Sequence, residues 1–133
     1  IGRVISWNGI VTYGAMAILS AAAVSRVAGL SMLTLLPPAR IDGASASVGR
    51  PAASMIAIGW AVAAAISALA LGWLPKPALA LTLVAPALAT TLLALQARSL
   101  IGGQTGDLAG TAQQLSEIAM MLAIVVLTAA MEA

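Results

Sequence analysis

The chain alternates between long apolar segments and short polar connections. The apolar segments cover residues 10–36, 53–74, 78–97 and 114–131. Each is about long enough for the ~20 residues that a helix needs to cross a hydrocarbon layer ~30 Å thick. Apolar and polar positions do not alternate within them, and apolar runs of this length are typical of helices rather than strands. The pattern predicts an all-α, polytopic integral membrane helical bundle with about four transmembrane helices.

The polar connections fall unevenly on the two sides of such a bundle. Prolines end the first and second segments at positions 37, 38, 75 and 77. Four crossings then place the loops 37–52 and 98–113 on one side, and the short turn at 75–77 with both termini on the other. Basic residues favour the loop side by three to two: Arg40, Arg50 and Arg98 against Arg3 and Lys76. Because cytoplasmic loops carry an excess of Lys and Arg, we expect both long loops in the cytoplasm.

Composition supports the bilayer as the natural solvent and excludes several kinds of chemistry. Hydrophobic residues make up 62% of the chain and charged residues only 8%, against roughly 25% charged residues in soluble domains. Histidine and cysteine are absent, which excludes His-based acid–base catalysis, Cys-His nucleophiles, His/Cys zinc sites and disulfides within these residues. Any metal must bind oxygen ligands, which suits magnesium. Few aromatic residues are available for base stacking, so we expect no nucleic-acid partner.

Arg26 is a cation inside the first apolar segment. It lies about ten residues, or ~15 Å along a helix, from the end of that segment. An arginine at this depth costs several kcal/mol unless it is paired or hydrated. It either faces a wet cavity opposite an anion such as pyrophosphate, or extends toward the headgroups for structural reasons. The sequence leaves both interpretations open.

The most polar run of the chain is LIGGQTGDLAGTAQQLSE, at residues 100–117. Glycines 102, 103 and 106 permit backbone shapes that present N–H groups to an anion, and a following helix N-terminus adds positive charge. The run lacks the lysine of a Walker A loop and the preceding strand of a dinucleotide fingerprint. Asp107 would repel a bare phosphate, but a magnesium ion between them makes the arrangement favourable. Alternatively, Asp107 caps a helix, and Gly106-x-x-x-Gly110 is a packing seam.

Glu117 and the arginines of the first loop are further candidates. On one helix, Glu117 would lie ~15 Å from Asp107, too far to share an ion but suited to another part of an elongated ligand. It is equally suited to a helix end among lipid headgroups. Arg40 is undecided between phosphate and anionic lipid, whereas lipid contact is the favoured interpretation for Arg50.

The stretch ARSLIGGQTGDLAGTAQQLSE, at residues 97–117, resembles the C-terminal signature of the cobalamin synthase (adenosylcobinamide-GDP ribazoletransferase) family. Its Gly-Gly-x-Thr-Gly-Asp core is fairly specific. Weaker matches, TYGAMA at 12–17, SRVA at 25–28 and LPPARIDG at 36–43, follow the order of the family. The resemblance covers most of the chain from about residue 10 onward.

The resemblance implies a magnesium-dependent transferase in the cell inner membrane. Its reaction would join α-ribazole, or its phosphate, to adenosylcobinamide-GDP with release of GMP. Asp107 and Glu117 are then the expected catalytic residues, and Asp107 the expected metal ligand. The expected substrate- and phosphate-binding residues are Arg26, Arg40, Arg98, Gly102, Gly103, Gln104, Thr105 and Gly106.

Two departures from the family pattern affect this interpretation. The aspartate-rich D-G-x-x-D-x-x-D-G segment of the family is absent, and SWNGIV stands at residues 6–11 where the family reads D-S-R-I-G. We therefore expect residues 1–11 to be altered or foreign sequence and residues 12–133 to be the membrane-embedded C-terminal part of a synthase-like domain. A missing N-terminal half or a homo-oligomer is the expected partner, and the chain alone is expected to be inactive.

A function of another class is a small multi-spanning transporter or channel subunit. In that interpretation Arg26 lines a transport path and Pro86 breaks a helix.

Overall fold

The computed structural model describes residues 7–39 and 49–132. Four helices follow one another along the chain: α1 (Trp7–Leu35), α2 (Ala53–Ala70), α3 (Lys76–Leu100) and α4 (Gly106–Glu132). Each contains a stretch long and apolar enough to cross a membrane. Apart from one isolated bridge between Pro38 and Gln104, the described residues form no β-structure. The predicted all-α bundle with four membrane helices is confirmed.

The fourth helix begins at Gly106 rather than at residue 114, so two thirds of the polar run at residues 100–117 is helical. Thr105 explains the early start, because its Oγ1 accepts a hydrogen bond of 3.2 Å from the Leu108 N–H. A side-chain acceptor just before a helix stabilises the first turn in this way. Asp107 is therefore not the cap, contrary to the structural alternative above. It lies in the first turn of α4.

The third helix continues without interruption through Pro86, which is buried. Proline lacks an N–H group, but membrane helices tolerate it where neighbouring packing and side chains compensate. Thr90 Oγ1 donates to the Pro86 carbonyl at 2.8 Å. The broken helix that the transporter interpretation expected at Pro86 is therefore absent from α3.

Helix α1 is the centre of the bundle and contacts each of the other three helices. Small residues allow these close approaches. A Cβ at Gly29 would lie 3.1 Å from the Ala109 carbonyl oxygen of α4, and one at Gly59 of α2 would lie 3.2 Å from Val27 Cγ1. Van der Waals contact between small residues is the usual basis of helix association in lipid.

Two clusters of buried apolar side chains fill the bundle. One lies toward the α2–α3 turn and includes Val24, Leu71 and Met120. The other lies under the polar loops and includes Met32, Leu36 and Ala112. Because the second cluster joins α1, α3 and α4, it fixes the helix ends from which both polar loops emerge.

Candidate functional site

Two backbone hydrogen bonds join the two polar loops. The Gln104 N–H donates to the Pro37 carbonyl at 2.7 Å, and the Ala39 N–H donates to the Gln104 carbonyl at 2.9 Å. We call this pair of bonds the loop clip. One segment of the clip follows α1 and the other follows α3, so the described parts of the two polar loops meet at one end of the helix bundle.

Two glycines shape the α3–α4 loop. Gly102 has φ of 76°, in the left-handed region that residues with a side chain seldom adopt. Gly103 is buried against the clip: a Cβ there would lie 2.6 Å from the Pro37 carbonyl oxygen and 2.8 Å from the Ala39 nitrogen. The first glycine turns the chain, and the second lets the two backbones pair.

The N-terminus of α4 opens beside the clip. The first four N–H groups of a helix have no partner within it. Here Thr105 binds two of them, from Leu108 through its side chain and from Ala109 through its carbonyl. The N–H groups of Gly106 and Asp107 have no hydrogen-bond partner among residues 7–39 and 49–132, and the Asp107 side chain is exposed. Free donors and the helix dipole favour an anion at this position.

Gln104 is the most unusual residue of the site. It is only 2% exposed, yet its side-chain Oε1 has no hydrogen-bond partner in the described part of the chain. A buried polar atom without a partner costs about 1–3 kcal/mol, so the packing of Gln104 behind the loop clip is unfavourable at this atom. The sequence gives no sign of this burial, because a glutamine between a glycine and a threonine looks like ordinary loop.

The predicted site residues separate into two groups. Arg98 lies in the last turn of α3 and is exposed, next to the loop that contains the glycines, Gln104, Thr105 and Asp107. Arg26 and Glu117 lie deeper: Ser25 Oγ of α1 donates to Glu117 Oε2 of α4 at 3.3 Å, and Arg26 is the next residue of α1. The role predicted for Arg26 in phosphate binding and the role predicted for Glu117 in catalysis stay predictions. Arg40 lies outside the described residues.

Arg50 has a structural partner that the sequence did not indicate. Its Nε and Nη2 donate to the Thr34 carbonyl at 3.0 and 2.6 Å. Thr34 Oγ1 in turn donates to the Pro51 carbonyl at 3.2 Å. A cation that binds a free carbonyl at a helix C-terminus also interacts favourably with the helix dipole. Arg50 therefore holds the chain that leads into α2 against the end of α1.

The described residues offer an incomplete metal site. No group of three acidic, histidine or cysteine side chains that could hold a metal ion occurs within them. Asp107 is the acidic residue of the loop region, and its carboxylate is exposed. Magnesium commonly binds one or two carboxylates together with substrate phosphates and water. The residues present fit magnesium in this shared form only.

Comparison with known proteins decides the family. The profile of the cobalamin-5-phosphate synthase family matches residues 1–125. The chain belongs to this family. The match includes both segments of the loop clip, the N-terminus of α4, Arg26 and Glu117. The assignment of residues 1–11 as altered or foreign sequence stays a prediction.

Curated relatives of the cobalamin-5-phosphate synthase family carry the name adenosylcobinamide-GDP ribazoletransferase. The protein of Azorhizobium caulinodans is 42% identical over 118 residues, which are 86% of this chain and 44% of the relative. That of Bradyrhizobium diazoefficiens is 41% identical over 80% of this chain and 40% of the relative. The chain thus spans less than half the length of these relatives. No solved structure matches it.

Proposed function

We propose that this chain forms a diphosphate-binding part of an adenosylcobinamide-GDP ribazoletransferase. The loop clip is the observation that carries the proposal. It holds Gln104 beside the N-terminus of α4, where two free N–H groups and the Asp107 carboxylate meet the solvent. The names of the family and of the relatives support the choice of reaction.

The reaction that we propose replaces one bond of a diphosphate. A ribose hydroxyl of α-ribazole, or of its phosphate, attacks the cobinamide-side phosphorus of adenosylcobinamide-GDP. The bond from that phosphorus to the bridging oxygen breaks, the hydroxyl proton is lost, and GMP leaves. Negative charge must be stabilised on the phosphoryl oxygens and on the leaving phosphate. Backbone N–H groups and arginine are efficient at this when they are fixed in advance.

Each residue of the loop receives a role that its position allows. The N–H groups of Gly106 and Asp107 donate to phosphate oxygens, and the dipole of α4 favours the charge. Arg98, exposed in the last turn of α3, binds the phosphate of the departing GMP. The backbone of Gln104, through its hydrogen bonds with Pro37 and Ala39, holds the loop in place. Gly102 and Gly103 keep the loop in the conformation that makes these groups available.

Asp107 is proposed to hold magnesium together with phosphate oxygens. When bound, the ion would neutralise charge on the phosphates. A single exposed carboxylate suffices for this shared binding, and it explains why an acid stands among donors that otherwise suit an anion. We further propose that the enzyme lies in the cell inner membrane with the polar loops in the cytoplasm.

The test replaces Asp107 with Asn in a chimera that carries residues 7–133 in place of the matching part of the Azorhizobium relative. Cobamide production is measured in a strain that lacks its own synthase. We expect Asp107→Asn to lower production by about a hundredfold or more, the range typical of lost groups that stabilise transition-state charge. Membrane levels of the chimera are measured in parallel.

The matched control is Thr111→Val, one turn further along α4, where the hydroxyl bonds only to the Asp107 carbonyl of its own helix at 2.8 Å. It should keep production near that of the unchanged chimera. Equal production by Asp107→Asn and Thr111→Val, at equal membrane levels, would show that the carboxylate has no part in the reaction.

A further inference from the structure

One side of the bundle presents an open strip of α1. Leu19, Arg26 and Leu30 are exposed and recur at intervals of seven and four residues, so they share one face of the helix. We call these three residues the open face of α1. On other sides, α1 packs against α2 through Val27 and against α4 through Ser25 and Gly29. The open face therefore lies between the contacts of α1 with α2 and with α4, and we call the strip between those two helices the groove.

Arg26 places a positive charge in the groove, well inside the membrane-spanning part of α1. Arg26 lies nine residues before the end of α1 at Leu35, which is ~14 Å along the helix axis. Within the described residues it forms no ion pair or hydrogen bond. An unpaired arginine at such a depth costs about 3 kcal/mol or more in a bilayer, so an anionic partner at the same depth would stabilise it strongly.

The chain itself contains an anion at that depth. Glu117 of α4 accepts a hydrogen bond from Ser25, the residue that precedes Arg26, at 3.3 Å. Its side chain is partly exposed. Helix α4 runs antiparallel to α1, so this contact fixes Glu117 and Arg26 within about one residue of each other along the membrane normal. Opposite charges thus lie at one depth beside one groove, without a direct ion pair.

Two glycines lie on the same face of α4 as Glu117, nearer to the polar loops. Gly110 precedes Glu117 by seven residues and Gly106 precedes Gly110 by four, so all three share one helix face. A Cβ at Gly106 or Gly110 would meet nothing within 4 Å. The pair is therefore no packing seam within the described part of the chain. Small residues on a membrane helix permit close approach of another helix, and at these positions the space is open.

From the paired charges we infer that this groove is the interface of a homodimer. Arg26 of one copy meets Glu117 of the other across a two-fold axis along the membrane normal. Two copies with the same orientation in the membrane keep every residue at its own depth under such an axis. Because Arg26 and Glu117 lie at equal depth and have opposite charges, the same surface of two copies is complementary. Arg26 of each copy then pairs with Glu117 of the other, so that two ion pairs form. Gly110, with open space around it, allows the partner helix to approach.

Crosslinking of single-cysteine variants is the first arm of the test. The chain contains no cysteine, so each introduced thiol is unique. Leu30→Cys on the open face should give dimers with a short bis-maleimide in native membranes. Leu92→Cys, on α3, is 56% exposed against 49% for Leu30 and serves as the matched control. Equal crosslinking of the two variants would show random collision and overturn the interface.

Charge exchange is the second arm, and it separates contacts between copies from contacts within one. Arg26→Glu alone and Glu117→Arg alone should each raise the dimer dissociation constant in nanodiscs or detergent about tenfold or more. Co-expression of the two variants should restore a mixed dimer, because the new acid of one copy faces the new base of the other, and the unchanged Glu117 faces the unchanged Arg26. The double variant Arg26→Glu/Glu117→Arg should restore the dimer by itself and shows that the exchanged charges are compatible with folding.

Three results would overturn the proposal. The unchanged chain could be monomeric at all concentrations. The co-expressed variants could remain apart, which would place the Arg26–Glu117 interaction within one copy. The single exchanges could also leave the dimer constant unchanged, as expected if Arg26 extends to the headgroups or binds phosphate.

Discussion

The backbone N–H of Gln104 donates to the carbonyl oxygen of Pro37 at 2.7 Å, across 67 positions of sequence that include two membrane helices. This bond ties the end of α1 to the start of α4 and brings two separate polar loops onto one surface. Its geometry depends on Gly103, since a side chain there would collide with the same carbonyl.

Gly103→Ala should therefore open the loop clip. The added Cβ would lie 2.6 Å from the Pro37 oxygen, and relief of such overpacking typically costs 1–3 kcal/mol. Thermal unfolding in detergent measures the loss. Gly106→Ala is the control, because its Cβ meets nothing within 4 Å and alanine favours a helix. If Gly103→Ala is as stable as Gly106→Ala, the two polar loops can separate without loss of stability.

Gly102 gives a prediction of a different kind, since space is open around it and only its φ of 76° is restrictive. Gly102→Val should destabilise the chain by about 1–2 kcal/mol, the usual cost of a left-handed residue with a side chain. Gly102→Asn should cost less, because asparagine adopts this conformation more readily. Unfolding measurements on both variants provide the comparison. The expectation is wrong if valine and asparagine are equivalent.

Thr105→Ala should remove the cap of α4 and cost about 1 kcal/mol. Thr105→Ser keeps the hydroxyl that accepts from Leu108 and should retain most of the stability. Hydrogen exchange of the first turn of α4, followed by mass spectrometry, reports the local effect. Similar protection in the alanine and serine variants would exclude the capping role.

Both polar loops should be labelled from the same side of the membrane. Ala52→Cys and Ser99→Cys introduce unique thiols at exposed positions near the clip, and Lys76→Cys introduces one at the opposite end of the bundle. In oriented vesicles, an impermeant maleimide should label the first two together and the third only from the other side. Labelling of residues 52 and 99 from different sides would contradict a common site.

The isolated 133-residue chain should have no synthase activity. Its described residues lack a group of three metal-binding side chains, and it spans less than half of the curated relatives that it matches. Purified chain in liposomes is assayed for joining of α-ribazole to adenosylcobinamide-GDP, with the full-length Azorhizobium relative as the positive control. Substantial turnover by the chain alone would refute the expectation.

The four-helix architecture and the position of the polar loop can be predicted from the order of the amino acids alone. A membrane helix must bury its backbone polar groups and cover them with apolar side chains, so four long apolar segments were sufficient to predict four helices. The sequence does not predict the start of α4 correctly, because the polar residues at 106–113 resemble a loop. The structure shows that they form the first turns of a helix capped by Thr105.

Which residues contact one another follows from the packing of the folded bundle and not from the pattern of the chain. The loop clip and the contact of Ser25 with Glu117 join segments that are far apart in sequence, and the same packing buries Gln104. The hydrophobic pattern shows which segments lie within the membrane. It does not show how each helix is rotated about its axis, because nearly every face of a helix in lipid is apolar. The rotation of each helix is therefore fixed by close contacts such as that of Gly29 with α4, and these rotations place Arg26 and Glu117 beside one groove.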